Sequence, residues 1–260
     1  MQLDPAATAA GVRLHRFDVL DSTNAEARRQ ARAGESGPLW IVASRQHAGR
    51  GRAGRNWVSE PGNLFATLLL SDPSPPAFAP QLSFVAALAV ADALGQCAPA
   101  LAGEVRLKWP NDVLVSGLKV AGILIEAEGA AVAIGIGINC LSHPEETTLP
   151  ATDIAAQGVL VDARDVFAAL SAAMLARLAQ WRRGAGFAAI REAWLARGTV
   201  IGAAIRVRLP EREMSGRFGG LDAEGRLLFE RADGGIETVS AGDVFGLTGA
   251  AVARSETERM

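Results

Sequence analysis

Lysine is nearly absent from this chain. Of its 26 lysine and arginine residues, only Lys108 and Lys119 are lysines. An ammonium is a compact point charge on a flexible stem, whereas a guanidinium is a broad planar fork. Where composition drives lysine toward arginine, two survivors a dozen residues apart are either chance remnants on the surface or positions that need an amine. Cysteine is as scarce: Cys97 and Cys140 alone exclude a disulfide framework, and neither has a Cys-x-x-Cys partner. Three histidines, His15, His47 and His143, show no metal-ligand spacing. No uninterrupted apolar run approaches ~18 residues, so no membrane span is expected. Met1–Gly11 lacks the basic start and apolar stretch of a secretory signal, which makes reduced thiols and a cytoplasmic setting the expectation. A net charge of -2 argues against a surface that grips nucleic acid throughout. The Gly-Lys-Ser/Thr ending of a P-loop and the Gly-x-Ser-x-Gly elbow of a hydrolase are both missing.

What is present suits a globular fold. The chain has 260 residues, 49% hydrophobic and 21% charged, enough for one large domain or a domain with a small satellite. Strands are expected at 12–20, 39–45, 64–70, 105–109 and 131–139, with a hairpin across 112–128 that turns at Ser116-Gly117. Helices are expected after the cap-rich DSTN of Asp21–Asn24 and at 82–96, 163–183 and 187–197. Beyond Gly198 the texture changes to short strands with glycine turns, which suggests a small β-barrel or sandwich over 199–250 after a larger unit, 1–198. Residues 251–260 read as a flexible tail. Strands and helices alternate without a regular βαβ rhythm, so the expected class is α+β.

Two segments carry the chemistry. The loop Gly49–Trp57, GRGRAGRNW, sets Arg50, Arg52 and Arg55 among glycines with no acidic neighbour. Glycines admit close backbone approach, and arginines supply forked donors to phosphate or carboxylate. Such a loop repels itself when empty and is expected to order over an anion. A solvated basic loop that binds nucleic acid, with Trp57 stacking on a base, is the competing explanation. KWPND then gathers Lys108, Asn111 and Asp112 at a strand end, where a plain turn is the alternative. The expected hairpin brings Lys119 beside the strand of Asp112, and Gly122 leaves that strand open to something flat. IGIGIN repeats the open face and ends at Asn139, with glycines thinned for packing as the alternative.

Taken in order and spacing, DSTN, QHAGRGRAGRNW, KWPNDV, LKVAGILIE and IGIGIN resemble the biotin protein ligases, strongly over about 15–140. The resemblance implies a central mixed β-sheet with flanking helices, class II synthetase-like, plus a C-terminal SH3-like barrel. It implies activation of biotin with ATP and magnesium to biotinyl-5′-AMP, then transfer to a lysine of a biotin carboxyl carrier protein. It also implies residue roles. Ser22, Thr23, Asn24, Gln46, Gly49, Arg50, Gly51 and Gly122 go to biotin. Arg52 and Lys119 lie between the biotin carboxylate and the α-phosphate. Arg55, Trp57, Lys108, Asn111 and Asn139 go to the nucleotide. Asp112 is the candidate magnesium ligand and acceptor base. His47 departs from the pattern, standing where many relatives carry a second glutamine. About 20 residues precede DSTN, so the DNA-binding domain of some relatives is not expected, nor is sequence-specific DNA binding; a monomer or weak homodimer is. Lipoate or octanoate ligases share this fold and lysine chemistry, and form the alternative enzyme class. Against them stand the polar DSTN and Gln46 groups, which suit a ureido ring better than a long acyl chain.

Overall fold

The computed structural model describes residues 1–147 and 149–246. The proposed tail, 251–260, lies outside the described residues. A seven-stranded mixed sheet forms the larger layer. Its strands are β1 (Arg13–Leu20), β2 (Leu39–Gln46), β3 (Leu64–Ser71), β4 (Val105–Lys108), β5 (Asp112–Val115), β6 (Leu118–Glu128) and β7 (Ala131–Ile138). They lie in the order β1-β2-β3-β7-β6-β5-β4. Only β1 and β2 are parallel; every other neighbouring pair is antiparallel.

Local sequence accounts for most of these elements. Ser116 and Gly117 both take positive φ, 50° and 79°, as a tight hairpin turn between β5 and β6 requires. A short helix at the N-terminus, α1 (Pro5–Ala9), was not anticipated, although Asp4 caps it and proline opens it. Helix α2 (Thr23–Arg32) starts from the Ser22 cap and packs on one face of the sheet, where Ala27 meets Leu39, Ile41, Leu69 and Ala133. The opposite face carries α3 (Leu82–Cys97), α4 (Ala163–Trp181) and α5 (Phe187–Leu195). Helix α4 stops at Trp181, short of the expected 183, because Arg182 turns left-handed; α5 ends two residues early. Segment Pro76–Cys97 is long and apolar enough to cross a membrane by length and composition, although Gln81, Ser83 and Asp92 interrupt its apolar run. Yet 12 of the 16 α3 residues are buried, the pattern of an interior helix apolar on all sides.

The second sheet is antiparallel and five-stranded. It contains β8 (Ala204–Arg208), β9 (Glu213–Leu221), β10 (Leu227–Glu230), β11 (Ile236–Val239) and β12 (Asp243–Gly246), in the order β11-β10-β9-β8-β12. It docks through the β9–β10 turn. The Gly225 carbonyl accepts from the buried Trp109 Nε1–H at 3.1 Å, and Gly225 sits against Phe84 and Phe187. This docking places β12 over one end of the larger sheet, beside the arginine loop.

Candidate functional site

The two lysines meet at one carboxylate. Asp112 opens β5 and is buried. Lys108, at the end of β4, donates to its Oδ2 at 3.0 Å. Lys119 reaches Oδ1 at 2.6 Å from the next strand, a close ion pair short of a directed hydrogen bond. Burial pushes the Asp112 carboxyl up, but the two ammonium groups outweigh it and hold it below the usual carboxylate range. A carboxylate so held is a poor proton acceptor near neutral pH, which argues against the expected role of acceptor base. Nor does Asp112 suit a protein-held magnesium ion. Both its oxygens face ammonium groups.

The arginine loop closes over this pair. Arg50 and Asn56 form an isolated bridge, and Trp57 N–H donates to the Gly49 carbonyl at 2.9 Å. Arg52 donates to Asn111 Oδ1 at 3.1 Å and to the Gly242 carbonyl at 3.3 Å. Arg55 donates to Asp243 Oδ1 at 2.9 Å, and Arg50 to Glu126 Oε2 at 3.2 Å. The expected lack of acidic neighbours thus holds only along the sequence: β6 and β12 supply the countercharges. Burial pushes the Arg52 guanidinium below its ordinary range, with Asp243 and Asp112 opposing the shift.

The glycines make room for named side chains. A Cβ at Gly137 would fall within about 2.6 Å of the Trp57 ring, and one at Gly122 within 2.8 Å of it. The flat body expected on Gly122 is therefore Trp57 itself. Its indole N–H is buried without a protein acceptor among the described residues, and Lys119 Nζ lies 5.4 Å from the ring centroid. Gly135 leaves space for Asn24, whose Oδ1 would sit 2.2 Å from a Cβ there.

These groups line a cavity of about 420 Å³, within the ordinary range for a small-molecule site. Ser22, Thr23, Asn24 and Gln46 stand on its wall. Arg50, Gly51, Arg52, Arg55 and Trp57 belong to it from the loop, and Lys108, Asn111, Asp112, Lys119, Gly122 and Asn139 from the sheet. Two expected residues sit differently. Gly49 does not line the cavity: it packs against the Trp57 carbonyl and Ser59 Oγ, where a Cβ would come within 2.7 Å of both. Asn139 does line it, but its amide donates to the Thr152 carbonyl at 3.0 Å and holds the loop after β7 in place. Sequence reading missed Phe245 and Asp243 of β12, which also line the cavity. Lys108, Arg206 and Arg208 surround the Phe245 ring at 6.0, 5.4 and 5.0 Å. Nothing local marks these β12 residues, because their role depends on how the second sheet docks.

Comparison with known proteins agrees with both halves of this arrangement. Residues 17–141 match the Biotin/lipoate A/B protein ligase family, and residues 200–246 match the biotin protein ligase C-terminal domain. The chain is 44% identical over 237 residues to the biotin–[acetyl-CoA-carboxylase] ligase of Paracoccus denitrificans, covering 86% of this chain and 97% of that one. It is 36% identical to the Mycobacterium tuberculosis protein of the same name, covering 86% and 85%. The fold superposes on the biotin protein ligase of Aquifex aeolicus in complex with biotin and ATP with a TM-score of 0.79, at 27% identity and over 90% of this chain and 99% of that one. With relatives matched over nearly their whole length and both sheets accounted for, the chain belongs to the biotin protein ligase family.

Proposed function

We propose that this protein joins biotin to ATP as biotinyl-5′-AMP and passes the biotinyl group to a lysine of a biotin carboxyl carrier protein. One observation carries the reading. A single cavity has uncharged donors and acceptors at one end, from Ser22, Thr23, Asn24 and Gln46, and concentrated positive charge at the other, from Arg52, Arg55, Lys108 and Lys119. A ureido ring with a carboxylate-bearing tail fits the first end and points its acid at the second.

In the first step a biotin carboxylate oxygen attacks the α-phosphorus, an O–P bond forms, and the bond to pyrophosphate breaks. Two anions must approach closely, and preorganised cations lower that barrier. Lys119 and Arg52 do this at the reacting centre; Arg55, Lys108 and Asn111 hold the remaining phosphates. Trp57 presents its ring to the bound pair. Asp112 holds the two lysine ammonium groups in place. Magnesium enters with ATP, as part of that substrate. In the second step the carrier amine attacks the acyl carbon, the amide forms, AMP leaves, and the amine's proton goes to solvent or to phosphate.

The unit boundary falls near Gly198, between α5 and β8, and the expected setting is cytoplasmic, with a monomer or weak homodimer in solution. Incubation with Mg-ATP and either biotin or lipoate, followed by pyrophosphate release and the adenylate mass, tests the function. Biotin-dependent biotinyl-AMP supports it; turnover with lipoate alone overturns it in favour of the related acyl ligases.

A further inference from the structure

Glu126 does not line the cavity, yet it contacts two residues that do, Asn24 and Arg50. It sits on β6 with its side chain one-fifth exposed. Its Oε2 accepts from Asn24 Nδ2 at 2.8 Å and from Arg50 Nη2 at 3.2 Å, while Oε1 accepts from Arg28 Nη1 at 3.4 Å. Asn24 Nδ2 also donates to the Leu124 carbonyl at 3.2 Å, so both its amide hydrogens are committed on this side. The amide oxygen must then face Thr67, whose hydroxyl donates to it at 2.7 Å. A hydroxyl has one proton. With that proton spent on Asn24, Thr67 Oγ1 accepts from Thr23 Oγ1 at 2.8 Å, a shorter contact than the 3.2 Å from that hydroxyl to Gln46 Oε1. Gln46 Oε1 takes the Thr23 backbone N–H at 2.8 Å, which turns its amide nitrogen to Ser59 Oγ at 3.0 Å; Ser59 in turn donates to the Trp57 carbonyl at 3.1 Å. The relay runs from β6 through α2 and β3 to the far end of the arginine loop, whose near end is held by Arg50 on the same carboxylate.

We propose that Glu126 is a positioning residue that sets the donor and acceptor polarity of the head-group pocket through Asn24, Thr67 and Thr23. A carboxylate only accepts, so it admits one orientation of Asn24 and hence one order of protons down the relay. That order leaves Thr23 Oγ1 free to accept from a ligand N–H; Gln46, turned by the Thr23 backbone N–H, keeps a second Nε2 hydrogen for a ligand oxygen. A ureido group, which offers both, is the ligand chemistry this polarity selects. The inference rests on the biotin reading above.

Glu126→Gln keeps length and packing but turns one end into a donor, so that one of Asn24, Arg28 and Arg50 loses its acceptor. It is expected to raise the KM for biotin about tenfold, as for loss of a charge-assisted hydrogen bond, with kcat and the KM for ATP changed less than about threefold. Thr67→Val, which cuts the relay at a buried residue outside the cavity, is expected to move the biotin KM in the same direction. A merely structural role lowers the melting temperature and the active fraction while leaving that KM alone, and this outcome overturns the proposal. So does a rise in biotin KM for Glu126→Gln with none for Thr67→Val, since the relay then carries nothing. Wild-type protein that adenylates lipoate and not biotin rejects the functional reading itself, and that arm needs no variant.

Discussion

At the scale of single residues, Lys119 and Asp112 bear the sharpest consequences. Lys119 Nζ sits 2.6 Å from Asp112 and faces the Trp57 ring, a space shaped for a compact ammonium. Lys119→Arg is expected to cut biotin-dependent pyrophosphate release at least tenfold, about 1.4 kcal/mol in barrier, with an unchanged circular dichroism spectrum. Asp112→Asn leaves two partly buried ammonium groups without a counterion and is expected to cost about 3 kcal/mol in a urea titration. The pH dependence has a definite sign. The folded carboxyl lies below its unfolded range, so its stabilisation is fully present above that unfolded range and is lost as pH falls through it toward the folded value. Wild-type stability should therefore drop in acid more steeply than that of Asp112→Asn, measured as denaturation midpoints from pH 6 down to pH 3. The scarcity of lysine made Lys108 and Lys119 legible without any structure. Glu126, Thr67 and Ser59 were not, because nothing in a strand's local pattern says which distant amide its side chain will meet.

At the scale of elements, the hairpin and the arginine loop behave in opposite ways. The β5–β6 hairpin was readable because its turn chemistry is local: Ser-Gly at positive φ sets Leu114 opposite Lys119, and a register shift between Val113 and Leu114 then brings Asp112 opposite Gly122. The loop 49–57 stood out as a run of arginines among glycines, but its counterions lie 76 and 188 residues away, on Glu126 and Asp243. Arg52 joins it to Asn111 and to the Gly242 carbonyl. Arg52→Gly removes both attachments and is expected to speed dissociation of biotinyl-AMP from the protein several-fold, about 1 kcal/mol for the lost hydrogen bonds, read as adenylate off-rates by rapid dilution. An unchanged off-rate rejects the loop as a closure over the intermediate.

At the scale of the whole molecule, the second sheet helps build the cavity. Its attachment turns on Gly225, which takes φ of 86° and lies against Phe84 and Phe187, where a Cβ would come within 3.0 Å of both rings. Gly225→Ala is expected to destabilise the protein by about 2 kcal/mol, from left-handed strain together with the clash. It should also weaken ATP use more than biotin binding, since Asp243 and Phe245 move with that sheet; differential scanning calorimetry and the two KM values check this. Sequence by itself determined what short-range forces decide: apolar periodicity, caps, turn residues and a run of arginines among glycines. From these came the α+β class, the sheet strands, the hairpin, the arginine loop and the lysine–carboxylate cluster, while Ser22, Thr23, Asn24 and Gln46 were pointed to by the resemblance. Tertiary structure alone decided which charges neutralise the arginines, why Gly122 and Gly137 are bare, and how Asn24 is oriented. Each of these depends on side chains brought together across scores of residues by burial of the core, and that proximity leaves no mark in the local order of the chain.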